Sequence, residues 1–108
     1  MPEFTSAAQA LEALPALADP EKLAGLEASV LFDLSGEGGG QWTATIANSQ
    51  LSIAEEAIAA PTMTLKMTAA DFVAMVNGDL NAMAAFMQGR LKVEGDMSVA
   101  VRLQSLFG

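Results

Sequence analysis

Between residues 28 and 89 the apolar positions change their period from two to about three and a half, and this switch confines the chain to a sheet followed by helices. Val30, Phe32 and Leu34 alternate with Leu31, Asp33 and Ser35, and Trp42, Ala44 and Ile46 alternate with Thr43, Thr45 and Ala47. After Leu51, Ile53 and a break at Pro61, Met63, Leu65 and Met67 repeat the pattern among threonines and Lys66. Alternation of this kind puts one set of side chains on a covered face and the other on a wetter one. The run Gly36-Glu37-Gly38-Gly39-Gly40 reads as a hairpin loop and Asn48-Ser49-Gln50 as a turn. Residues 28 to 68 are therefore read as a strand meander.

The helical part begins with Thr68 and Asp71 at capping spacing. Phe72, Met75 and Val76 then share a face, and Asn77-Gly78 supplies a stop. A second short helix places Leu80, Met83, Ala84 and Met87 on one stripe and ends at Gly89. Leu91 and Val93 make a fifth short strand. Residues 96 to 107 are locally ambiguous, with Met97, Ala100, Val101 and the Leu106/Phe107 pair favouring helix. Ahead of the sheet, residues 5 to 26 read as helical: Ser6 and Gln9 have capping spacing, and Leu11, Leu14 and Leu17 form a rough stripe. Pro15 should stop or kink that helix, and Asp19-Pro20 restarts it with Asp19 as N-cap. The expected class is α+β, a mostly antiparallel sheet of about five strands covered on one face by helices. No repeat or linker divides the chain, so residues 1–108 read as one domain.

Several functions are disfavoured by what the chain lacks. Thirteen acidic residues against five basic ones give a formal charge of −8. Nucleic-acid binding needs a basic footprint to displace counterions, and sustained contact with an anionic membrane is opposed by the same imbalance. There is no histidine and no cysteine, which removes Ser-His-Asp and Cys-His catalysis, imidazole metal sites and disulfides. Glu55-Glu56 is the one adjacent acidic pair, and strand neighbours point to opposite faces, so it reads as a solvated edge. The glycine run lacks a Gly-Lys-Ser/Thr ending and leads into a strand, unlike a phosphate cradle. No catalytic residue, metal or cofactor is expected. No apolar run reaches the roughly 18 residues of a membrane-spanning helix, and the N-terminus has no secretory pattern, so the expected location is cytoplasmic. With 52% hydrophobic residues, the apolar excess must lie in the fold, in an oligomer or around a ligand.

The most specific stretch is Phe86-Met87-Gln88-Gly89-Arg90-Leu91-Lys92-Val93-Glu94-Gly95-Asp96-Met97. It resembles the pattern Phe-x-Gln-Gly-Lys-Leu-Lys-x-x-Gly-Asn-Met of the sterol carrier protein type 2 domain family. Arg90 stands where lysine is usual and Asp96 where asparagine is common, and the likeness extends loosely back to Val30. The resemblance implies a non-enzymatic carrier whose helices and one sheet face enclose a hydrophobic tunnel for fatty acid, fatty acyl-CoA or sterol-like lipid. It further suggests a stand-alone bacterial protein. The family's basic members suit anionic membranes; this acidic chain fits storage or presentation of a lipid better than transfer between vesicles.

Seven methionines suit either a core that needs gap-filling or a wall that changes shape. If the family's tunnel is present, its wall is expected from Phe32, Trp42, Ile46, Met67, Phe72, Met75, Val76, Met83, Phe86, Met87, Leu103 and Phe107. Trp42 is first a core anchor and only second a ligand-facing ring. Gln88 either sits at the mouth or satisfies backbone groups at a helix end, and Gly89 is a left-handed helix stop. Ligand cavities measure about 300 Å3 or more. An empty void of that size would cost about 7 kcal/mol, against a whole stability of about 5–15 kcal/mol. Such a tunnel is expected to be partly collapsed by methionines or filled by a long-tailed amphiphile. The alternative use of the same groove is protein interaction, with a homodimer as its simplest form.

Overall fold

The computed structural model describes residues 4–17, 20–99 and 101–102. Helix α1 spans Ala7–Leu17 and α2 spans Pro20–Leu23; strands β1 (Ala28–Ser35), β2 (Gly40–Ala47), β3 (Gln50–Ala54) and β4 (Met63–Thr68) follow. Helices α3 (Ala69–Val76) and α4 (Ala82–Met87) and strand β5 (Lys92–Gly95) complete the elements. Residues 97–99 and 101–102 are helical, as expected for that stretch; residues 100 and 103–108 lie outside the described residues.

The five strands form one sheet in the order β3-β2-β1-β4-β5. Three of the four pairings are antiparallel, but β1 and β4 are parallel, with Phe32 opposite Leu65. This corrects the meander, which would have set β4 beside β3. The connection instead crosses from one side of the sheet to the other through residues 55–62. Thr43 Oγ1 donates to the carbonyl of Glu56 at 2.7 Å. At the far end, Ser29 N donates to Thr62 Oγ1 and Thr62 N to Ser29 Oγ, both at 3.1 Å. Thr43 and Ser29 stand on the outer face, so this segment lies over that face, where Leu31 and Thr43 are buried. A strand covered on both sides belongs in the middle of a sheet, and β1 is placed there.

The inner face carries Val30, Phe32, Leu34, Trp42, Ala44, Ile46, Met63, Leu65 and Met67, all buried in one cluster with the helices. Ala7, Ala10, Leu11 and Leu14 give α1 its buried stripe, and α1 packs on β3 and α3. Ser6 Oγ accepts from Gln9 N, while Gln9 reaches back to Thr5 N at 2.8 Å. Pro15 lies inside α1, which ends two residues later. Pro20 opens α2 as expected, whereas Asp19 lies outside the described residues.

Both later helices stop as the sequence implies. Gly78 and Gly89 take φ of 87° and 76°, and the N–H groups beyond them, Asp79 and Arg90, return to the carbonyls of Ala74 and Ala85. Thr68 and Asn81 cap the N-termini, accepting from Asp71 N and Ala84 N. Asn77 also exchanges two hydrogen bonds with the backbone of Phe4, fastening the N-terminal segment to the end of α3.

Gly95 closes β5 where the next strand's entry passes close by. Its φ is 104°, and a Cβ there would lie 2.5 Å from the carbonyl oxygen of Thr62, which accepts from Asp96 N. Gly95→Ala is expected to cost about 1–3 kcal/mol. A urea midpoint equal to that of the unmodified protein would contradict this reading.

Candidate functional site

Where β4 and β5 lie under α4, the inner face is incompletely covered, and a pocket of about 150 Å3 opens. Its floor is buried: Met63 and Leu65 from β4, Met75 from α3, and Leu91 just before β5. Val93 of β5 and Ala82 of α4 are half-buried beside them. The rim is exposed, with Met83 and Phe86 from α4 and Met97 and Val101 from the C-terminal helical residues. All ten lining residues among those described are apolar.

The local reasons are simple. Period-two alternation on β4 sends Met63 and Leu65 inward, while Thr64 and Lys66 point away. The register sets Val93 against Leu65 on the same face. Helix α4 reads Ala-Met-Ala-Ala-Phe-Met, apolar all round, and only Ala85 is buried. The stripe expected through Met83 and Met87 is therefore corrected: α4 rests on Ala85, and its large side chains turn toward the mouth or solvent. Asp96 caps the C-terminal helical residues, its Oδ1 accepting from Ser98 N at 2.9 Å and Ser98 Oγ at 2.6 Å.

The expected site residues divide into five groups. Met75, Met83 and Phe86 line the pocket. Phe32, Trp42, Ile46, Met67 and Phe72 are packed in the core beneath it, and Val76 packs against that core. Met87 is 79% exposed and off the lining. Gln88 is the C-cap of α4, with its Oε1 accepting from Arg90 Nη1 at 3.4 Å. Leu103 and Phe107 lie outside the described residues. The lining residues absent from that expectation are Met63, Leu65, Ala82, Leu91, Val93, Met97 and Val101. The alternation of β4 carried a signal for two of them. Leu91, Val93, Met97 and Val101 depend on β5 pairing with β4, which no local pattern reveals, and Ala82 depends on how α4 is turned.

Three basic side chains on the elements around the pocket have partners. Arg90, next to Leu91, grips Asp71 of α3 through Nη2 at 2.6 Å and Nε at 3.2 Å. This hydrogen bond holds the Asp71 carboxyl below its ordinary range, while partial burial opposes the shift. Lys66 pairs with Glu94 at 2.7 Å on the outer face. Arg102 donates to the carbonyl of Ala24. Because the folded pKa of Asp71 is depressed, its stabilising effect is present above about 3.9, the unfolded value, and fades as pH falls through the folded one. Asp71→Asn is expected to flatten stability over that acid window and to lower the neutral-pH midpoint slightly. Urea melts across the window would show it; an unchanged acid slope would not fit.

A five-stranded sheet with helices over its inner face and an apolar pocket at their edge defines a class of small α+β domain built around an apolar cavity. The model of the SCP-2 sterol transfer family matches residues 8–108, and this chain belongs to that family. Human hydroxysteroid dehydrogenase-like protein 2 is 37% identical over 81 residues, covering 74% of this chain and 19% of that protein. Human sterol carrier protein 2 is 31% identical over 86 residues, covering 80% and 16%. The chain thus spans less than a fifth of the length of these relatives. The solution structure of palmitated SCP2L2 from Aedes aegypti superposes with a TM-score of 0.76 at 21% identity, covering 94% of this chain and 90% of that one. Among the described residues no helix is long and apolar enough to cross a membrane.

Proposed function

We propose that this chain is a non-enzymatic lipid-binding domain that holds the tail of a long-chain amphiphile in the pocket under α4. One observation carries this reading: a wall that is apolar at every described residue and whose rim stays exposed, in a chain of net charge −8. Large exposed apolar surface normally marks a binding site. Family membership supports the same reading, as do a relative named for sterol carriage and a fold neighbour studied with palmitate. With no histidine or cysteine in the chain, binding is favoured over catalysis. We place the protein in the cytoplasm and treat residues 1–108 as one domain.

Size sets the terms of binding. A cavity of about 150 Å3 holds a molecule the size of benzene, about six carbons. Burying six methylenes contributes about 5 kcal/mol before the cost of association. A longer tail must continue between the rim side chains, where unbranched Met83 and Met97 can move to widen the groove. The described lining residues offer no polar side chain, and Arg90 is committed to Asp71 and Gln88. Selection therefore acts on the tail, with the head group left near solvent.

Titration with a fluorescent long-chain fatty acid, followed by native mass spectrometry, tests the proposal. One molecule per monomer is expected. A ligand-free dimer would favour the second reading, an interaction module. That reading draws on Met87, which extends the exposed apolar surface beyond the pocket.

A further inference from the structure

The described methionines fall into two sets. Met63, Met67 and Met75 are at most 5% exposed, whereas Met83, Met97 and Met87 are 48%, 51% and 79% exposed. Met83 and Met97 belong to the pocket rim, one from α4 and one from the C-terminal helical residues; Met87 does not line it. A thioether is an odd choice for so exposed a rim if packing alone mattered, since leucine buries as much surface. Beyond the flexibility that lets it move aside, methionine adds a chemistry that reverses its polarity.

We infer that Met83 and Met97 form a reversible oxidation site that governs entry to the pocket, an inference that rests on the lipid-binding reading. The oxidant is a peroxide. The sulfur lone pair attacks one oxygen of hydrogen peroxide, the O–O bond breaks and an S–O bond forms; the departing hydroxide takes the proton of the sulfur-bound oxygen and leaves as water. The sulfur is oxidised by two electrons and the peroxide is reduced by the same two. The product is a polar sulfoxide, and among the described residues none of the lining side chains can donate a hydrogen bond to its oxygen. That oxygen must keep its water, and a tail that displaces the water leaves a polar group unpaired. Floor methionines Met63 and Met75 are shielded, so oxidation changes the mouth and spares the core. A sulfoxide reductase returns the rim to its apolar state.

The experiment exposes the whole protein to limiting hydrogen peroxide, maps the added oxygen by peptide mass, and titrates a fluorescent long-chain fatty acid before and after. Met83, Met87 and Met97 should oxidise while Met63, Met67 and Met75 are spared. Affinity should fall about tenfold, or about 1.4 kcal/mol, and return after treatment with methionine sulfoxide reductase. Bound fatty acid should slow oxidation of Met83 and Met97 several-fold and leave Met87 unprotected. Whatever its starting affinity, a Met83→Leu/Met97→Leu variant should lose nothing further on peroxide treatment, while Met87→Leu should respond like the unmodified protein. If the untreated protein takes up no probe, the lipid-binding reading fails and this inference with it. If uptake is normal but unaffected by rim oxidation, or if the floor methionines oxidise as readily as the rim, the inference alone is overturned.

Discussion

Phe72→Ala is expected to remove about 3–5 kcal/mol of stability, the largest loss from any single truncation considered. Phe72 is fully buried on α3, and its ring meets that of Phe32 on β1 edge to face, with centroids 5.6 Å apart and planes at 66°. That contact joins the helical layer to the central strand. The loss is a large part of the roughly 5–15 kcal/mol that holds a small domain folded. In urea the midpoint should drop by about 2 M, given a slope of about 2 kcal/mol per M. Phe32→Ala should behave alike, and the double variant should cost about 0.5–1.5 kcal/mol less than the sum, the part owed to the ring pair. Phe86→Ala is the internal comparison: its ring is 45% exposed on α4, so truncation should cost far less. If Phe72→Ala and Phe86→Ala shift the midpoint equally, the core does not run through the α3–β1 contact.

The faces of the sheet were legible and its neighbours were not. Alternation along β1, β2 and β4 assigned Phe32, Trp42 and Met67 to the covered side, because side-chain direction is a local property of extended backbone. Which strands touch is not local. The parallel pairing of β1 with β4 depends on residues 55–62 crossing the outer face, held by Thr43 and the Ser29–Thr62 exchange. No period in the sequence encodes that. One sign was present: Leu31 breaks the polar side of β1, as a residue covered from both directions should. The helix ends were legible for the opposite reason, since Gly78 and Gly89 report a backbone angle directly.

The same division explains the pocket. A candidate wall chosen by size and period favoured Phe32, Trp42, Ile46 and Phe72, the residues the fold uses for its own core. The pocket is instead made where helical cover is thin, over β4 and the short edge strand β5. Helix α4 has no polar face to orient it, so periodicity could not say which of its residues turn inward. Its direction is fixed by contact of Ala85 with the core, by the cap at Asn81 and by the left-handed stop at Gly89. A short helix resting on an alanine leaves its bulkier neighbours free to form a rim.

That geometry separates two methionines that look equivalent in the sequence. Met83 and Met87 stand one helical turn apart, yet only Met83 lines the pocket. Met83→Trp is expected to reduce fatty-acid affinity by about tenfold or more, at least about 1.4 kcal/mol, because a rigid indole takes up space that a flexible thioether can vacate. Met87→Trp should leave affinity unchanged. Both positions are exposed, so both variants should fold within about 0.5 kcal/mol of the unmodified protein. The comparison thus isolates occupancy of the pocket from stability and from the general effect of adding an aromatic ring to α4. Equal loss in both variants would place the ligand along the outer surface of α4. Equal retention would mean that the tail enters without passing Met83, leaving Met97 and Val101 as the side of the rim that it must cross.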